Sequence, residues 1–109
     1  MSYTVDVTPP AERDVRGIVA YLLERSRPGA ISWRRAFDEM TDRLSVSPES
    51  SPLAPENELF EEPVRQTLFK TKSGRTYRAV FVVREDVAHI LQVRGPGQDL
   101  LDLDEIRLP

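Results

Sequence analysis

The sequence contains no cysteine and one histidine, His89. Disulfides and thiolate metal sites are excluded, and a single imidazole cannot build a zinc site. No apolar run approaches the roughly 20 residues that span a bilayer. The opening Met1-Ser2-Tyr3-Thr4 has neither the basic nor the apolar region of a secretion signal. The expected location is therefore the cytoplasm, with no membrane partner, no metal and no cofactor.

What is present suits an ordinary soluble domain. The chain has 109 residues, 39% hydrophobic and 30% charged. That length reads as one domain over 1–109, large enough to bury roughly two thirds of its unfolded surface. The charge is unevenly placed. Residues 65–94 carry a net +5, whereas residues 1–64 carry −5 and residues 95–109 carry −3. One basic stretch inside an acidic chain is the main pointer to function.

The basic stretch also has strand character. Val64 to Lys70, Tyr77 to Val83 and Val87 to Val93 are short runs of β-branched and aromatic residues separated by polar turns. This pattern predicts an antiparallel three-stranded meander. Gly74 is expected to supply a left-handed residue in the first turn. Alternation sets Tyr77, Ala79, Phe81 and Val83 on one face and Arg78, Val80, Val82 and Arg84 on the other. The periodicity of the last strand is less regular, and the face of His89 is not fixed by it.

Upstream, Tyr3-Thr4-Val5-Asp6-Val7 alternates as an opening strand. Asp6 or Thr8 is a candidate cap for a helix begun by Pro10. Ala11, Val15, Ile18, Val19, Leu22 and Leu23 then recur at helical spacing, and Gly17 within them suggests close packing on a neighbour. Ser26-Arg27-Pro28-Gly29 breaks this helix. A second seam follows at Ala30, Trp33, Phe37, Met40 and Leu44. Two helices around 10–26 and 29–45 should form an antiparallel hairpin that covers one sheet face. Trp33 reads as a core or hairpin-seam residue. Residues 45–63, rich in proline, serine and acids, read as a loop pinned by Leu53, Leu59 and Phe60. The tail 95–109 reads as a turn followed by a short acidic amphipathic helix.

This order, strand, helix, helix, proline-rich loop and three strands, resembles the RelE/ParE superfamily of type II toxin–antitoxin (plasmid stabilisation) toxins. The resemblance rests on Tyr3 to Ala11, Asp14 to Leu22, Ala30-Ile31-Ser32-Trp33, Leu44 with Pro48, and Leu53 to Asn57. It continues through Val64-Arg65, Tyr77-Arg78-Ala79-Val80-Phe81 and Ile90-Leu91-Gln92-Val93-Arg94. It implies an α+β fold, β-α-α-β-β-β. An N-terminal strand and a helical hairpin pack on one face of a small, mainly antiparallel sheet whose other face is open and carries the function. It further implies a cognate antitoxin, in a heterotetrameric or larger complex, and a target that is either DNA gyrase or mRNA on the ribosome.

The nuclease branch would be a metal-independent endoribonuclease. Arg78 matches the family's arginine after an aromatic residue and would stabilise phosphate. Lys70 and Lys72 match lysines of the preceding strand. The chain departs from that branch after its last strand, where Val93-Arg94 runs into Gly95-Pro96-Gly97 without the usual His or Tyr proton donor. The gyrase-poisoning, ParE-like branch fits this departure better. Arg65, Arg75, Arg78, Arg84 and Arg94 are the candidate contacts to antitoxin or target. A weak or inactive relative that serves as a plain interaction module for an acidic partner is the reading from another class. With its face read as open, Arg78 is expected to tolerate alanine without loss of fold.

Overall fold

In a computed structural model of the chain, residues 2–72, 74–96 and 106–109 are described. Strand β1 (Thr4–Val7) leads into helix α1 (Pro9–Leu23) and helix α2 (Arg27–Leu44). Two short 3-10 turns, Pro48–Ser50 and Pro55–Leu59, precede β2 (Arg65–Phe69), β3 (Tyr77–Arg84) and β4 (Val87–Arg94). The sheet order is β1-β4-β3-β2. The last three strands form the expected meander, and β1 adds to β4 in parallel. Among the described residues no helix is long and apolar enough to cross a membrane.

The helices begin where local chemistry allows. Pro9 and Pro10 occupy the first turn of α1, where an amide hydrogen would have no partner in any case. Thr8 is the N-cap, but its hydroxyl makes no capping bond. It donates instead to the Ile90 carbonyl at 2.7 Å and ties the start of α1 to β4. Ser26 caps α2 by accepting from the Gly29 amide at 3.0 Å. Both helices bury one stripe. Ala11 and Val15 of α1, with Trp33, Phe37, Met40 and Leu44 of α2, pack against Phe69, Ala79, Phe81, Ala88, Ile90 and Val93. Burying each of the larger side chains contributes on the order of 1.5–3 kcal/mol. Trp33, Phe37, Phe69 and Tyr77 form an aromatic cluster with ring centroids 5.4–6.0 Å apart.

The face opposite the helices is not open. Val80 and Val82 are fully buried and join Ala54, Val64, Leu91 and Ile106 in a second core, with Phe60 against it. Ala54 and Phe60 of residues 45–63 contribute to the cover, together with Ile106 of the tail. Ala54 donates to the Val64 carbonyl at 2.8 Å, and Asn57 accepts from the Val64 amide at 2.8 Å. Leu53 and Leu59, expected as anchors, are about half exposed. Pro48, Ala54 and Glu56 are buried in their place. The expected acidic helix in the tail falls on 97–105, outside the described residues.

Two glycine expectations are revised. A Cβ on Gly17 would meet no atom within 4 Å, so this glycine does not serve close packing. Gly74 does not sit at positive φ. A Cβ there would lie 2.1 Å from the Thr71 hydroxyl oxygen, so a larger residue would require that side chain to turn aside. Among the described non-glycine residues the left-handed one is Glu85, with φ 55, in the β3–β4 turn.

The irregular periodicity of β4 has a physical cause. Phe81 pairs with Ile90 and Val80 with Gln92, leaving Leu91 as the extra residue of a β-bulge. Ile90 therefore faces the helices while Leu91 joins the second core.

Candidate functional site: an arginine face closed by the acidic loop

Alternation along β3 carries Arg78 and Arg84 onto the second face, as the sequence predicts. The acidic loop meets them there. Arg78 Nη1 donates to Glu56 Oε1 at 2.9 Å and to Gln66 Oε1 at 3.2 Å, and Arg78 Nη2 donates to Glu56 Oε2. The Glu56 side chain is 1% exposed and that of Arg78 15%. This is a forked guanidinium–carboxylate pair, in which both oxygens are held by one planar group. Burying a carboxylate at this depth without such a partner is costly.

Arg84 repeats the motif at the far end of β3. Its Nε lies 3.1 Å from Glu62 Oε2 and its Nη2 lies 2.6 Å from Glu62 Oε1, while Nη1 reaches the Pro109 carbonyl. The Arg84 hydrogen bonds hold the Glu62 carboxyl below the usual range, against a smaller opposing effect of burial. Arg65 Nη1 donates to the Ser51 carbonyl at 2.7 Å. Three of the arginines that make the sheet basic thus hold the acidic loop and the C-terminus in place. The open face expected from the resemblance is corrected by these bonds and by the second core.

The remaining candidates are dispersed. Arg94 pairs in register with Arg78 across β3 and β4 and is half-buried. Lys70 and Lys72 follow β2 and are exposed. Lys70 borders a shallow depression with Ala36, Glu39 and Arg43 of α2, on the hairpin side rather than beside Arg78. Arg75 is exposed in the β2–β3 turn, at the rim of a separate cleft. Arg78, Arg84 and Arg94 therefore share the second face, whereas Lys70 and Arg75 lie elsewhere.

Sequence reasoning left some partners unassigned. Glu56 and Glu62 stood out only as acids of a loop, and Gln66 not at all. The signal was the excess of acid in residues 45–63 set against the excess of base in 65–94. His89 joins the same face through β1. Its Nδ1 lies 2.8 Å from Asp6 Oδ2, its strand neighbour. On the helix side, Asp14 accepts from the Val93 amide at 2.9 Å. Burial raises the Asp14 carboxyl, only partly opposed by that amide and by Arg94 and Arg13.

Chemically, the second face offers guanidinium groups that can hold a phosphate or a carboxylate. In this conformation they hold carboxylates of the chain itself.

No protein-family model matches the chain, and no curated protein matches it. Among solved structures, the chain is similar to the E. coli toxin RelE, determined in the free state as a mutant with two arginines changed to alanine. The TM-score is 0.54 at 17% identity, over 86% of this chain and 83% of that one. The protein has the RelE-like α+β fold: an N-terminal strand, a helical hairpin and a four-stranded, mostly antiparallel sheet.

Proposed function

We propose that this protein is the toxin of a toxin–antitoxin pair and that it acts by binding a protein target, with DNA gyrase the first candidate. The likeness to a toxin of the same fold supports the first part. One observation carries the second: Arg78, the residue that matches the nuclease arginine, is engaged by both oxygens of the buried Glu56. A phosphate would have to displace a desolvated, forked carboxylate to reach it. The hairpin favours a protein target. Tyr21, Leu23 and Ile31 are 48–54% exposed along α1 and α2, the type of apolar surface that protein contacts use. In this reading Arg78 and Arg84 maintain the second face and Arg65 holds the loop at Ser51, while the exposed Arg75, Lys70 and Lys72 are available to an antitoxin or target. The antitoxin would be an acidic segment, and the pair would operate in the cytoplasm.

The test is expression in a bacterium without an antitoxin, followed by two parallel assays. Growth arrest with inhibited supercoiling by purified gyrase, and without mRNA cuts at ribosomal positions, is the expected result. Cuts in ribosome-bound mRNA, lost in Arg78→Ala protein that remains folded, would overturn it in favour of RNA cleavage.

A further inference from the structure

Strand β2 is an edge of the sheet, with β3 as its one neighbour in the order β1-β4-β3-β2. The chain itself covers the N-terminal half of that edge. The Gln66 amide donates to the Pro52 carbonyl at 3.0 Å, and the Ala54 amide donates to the Val64 carbonyl at 2.8 Å. These bonds make an antiparallel bridge between Leu53 and Arg65. The cover stops there. Hydrogen-bonding direction alternates along a strand, so Leu68, like Gln66, turns its backbone polar groups away from β3. The Leu68 carbonyl accepts from Arg43 Nη2 at 3.3 Å. The Leu68 amide has no acceptor on that side among the described residues. The Leu68 side chain is 54% exposed.

An uncovered edge beside an exposed apolar residue can accept an added strand. The surroundings select which kind. A depression of about 400 Å³ flanks this half of β2 on the hairpin side. The exposed cations Arg43 and Lys70 border it, with one carboxylate, Glu39. Lys72 follows and is also exposed. A second copy of the chain fits this edge poorly. Antiparallel pairing of two β2 edges about Leu68 would gather Arg43 and Lys70 of both copies, and like charges across a strand pair are destabilising. An acidic strand meets the same cations favourably.

We propose that the edge of β2 at residues 68–70 takes an extended acidic segment of a partner protein as a fifth, antiparallel strand. An apolar residue of that segment lies opposite Leu68 and exchanges both backbone hydrogen bonds with it. Its amide replaces Arg43 at the Leu68 carbonyl. The residues on either side of it point to the hairpin side, where their carboxylates meet Arg43 and Lys70. The strand site stands on this geometry, whereas its assignment to the antitoxin rests on the proposed function.

A capped peptide of alternating glutamate and valine is the probe, with lysine in place of glutamate as the control. The acidic peptide should shift the Leu68 amide signal saturably and slow its hydrogen exchange, and the basic peptide should not. Arg43→Glu with Lys70→Glu should weaken the acidic peptide about tenfold and admit the basic one. N-methylation of the valine amides removes the donors that face β2 and should abolish binding. N-methylation of the glutamate amides, which face solvent, should leave binding intact. The methylated peptides decide the matter should the double variant fail to fold, because they leave the protein unchanged. The proposal is overturned by no saturable shift at Leu68, or by equal binding of the two methylated peptides. It is also overturned if the Leu68 signal moves on concentrating the protein alone, which would give the edge to a second copy. Growth arrest by a protein that does not bind the peptide would end this inference and leave the toxin reading standing. Binding by a protein that does not arrest growth would support the strand site and remove its assignment to the antitoxin.

Discussion

Arg78 and Glu56 lie 22 residues apart in sequence and close the second face of the sheet with a forked ion pair. The arginine comes from the middle of β3 and the carboxylate from the 3-10 turn Pro55–Leu59. Both are largely desolvated, so each depends on the other.

Arg78→Ala should therefore destabilise the protein by about 3–5 kcal/mol, because it strands a buried carboxylate. The expected tolerance of alanine, which assumed an open face, is withdrawn. Replacing both partners with apolar groups, Arg78→Met with Glu56→Leu, should recover most of that loss. Urea unfolding of the two single variants and the double variant checks this. Additive losses in the double variant would show that the pair does not act as a unit.

Acid should loosen the end of the loop at Glu62. Its folded carboxyl is held below the ordinary 4.5, so the stability it contributes is present above that value. That contribution is lost as pH falls through the lower folded value. Asp14 has the opposite sign. Its carboxyl is raised above 3.8, so protonation as pH falls favours the fold at that position. Carboxyl carbon titration should show Glu62 below and Asp14 above their ordinary values. Arg84→Ala should return Glu62 toward 4.5 and leave Asp14 unchanged.

Glu85→Gly should stabilise the hairpin between β3 and β4. Glu85 holds φ 55, a conformation that costs a non-glycine residue about 1–2 kcal/mol. The added freedom of glycine in the unfolded chain offsets about 0.4–1 kcal/mol of this. A net gain of roughly 0.5–1 kcal/mol is expected from thermal unfolding. A loss would indicate that the Glu85 side chain makes a stabilising contact.

Reversing the accessible cations should separate function from fold. Lys72→Glu with Arg75→Glu changes two exposed residues and should alter stability by no more than about 0.5 kcal/mol for each. Growth inhibition should fall clearly if these cations meet the target. Unchanged inhibition at equal protein levels would move the contact surface elsewhere.

Much of the fold was legible before any coordinates. The spacing of Ala30, Trp33, Phe37, Met40 and Leu44 specifies a helix with one buried stripe, and all five are buried. The alternation of Tyr77, Ala79, Phe81 and Val83 specifies the strand face that meets it. Side-chain direction repeats with period 3.6 or 2, so residues that share a face can be read from sequence alone.

The tertiary structure decided what lies over each face. Alternation puts Arg78 and Arg84 opposite the helices, but it carries no information about a loop 22 residues upstream in either case. Residues 45–63 have no period to read, and their path depends on Ala54, Phe60 and Glu56 finding partners on β3 and β4. The bulge at Leu91 and the parallel docking of β1 on β4 are likewise set by packing between distant segments. The arginines were legible as a basic face, because charge and alternation are local properties. Their engagement by Glu56 and Glu62 was not, because ion pairing depends on distances that only the folded chain creates.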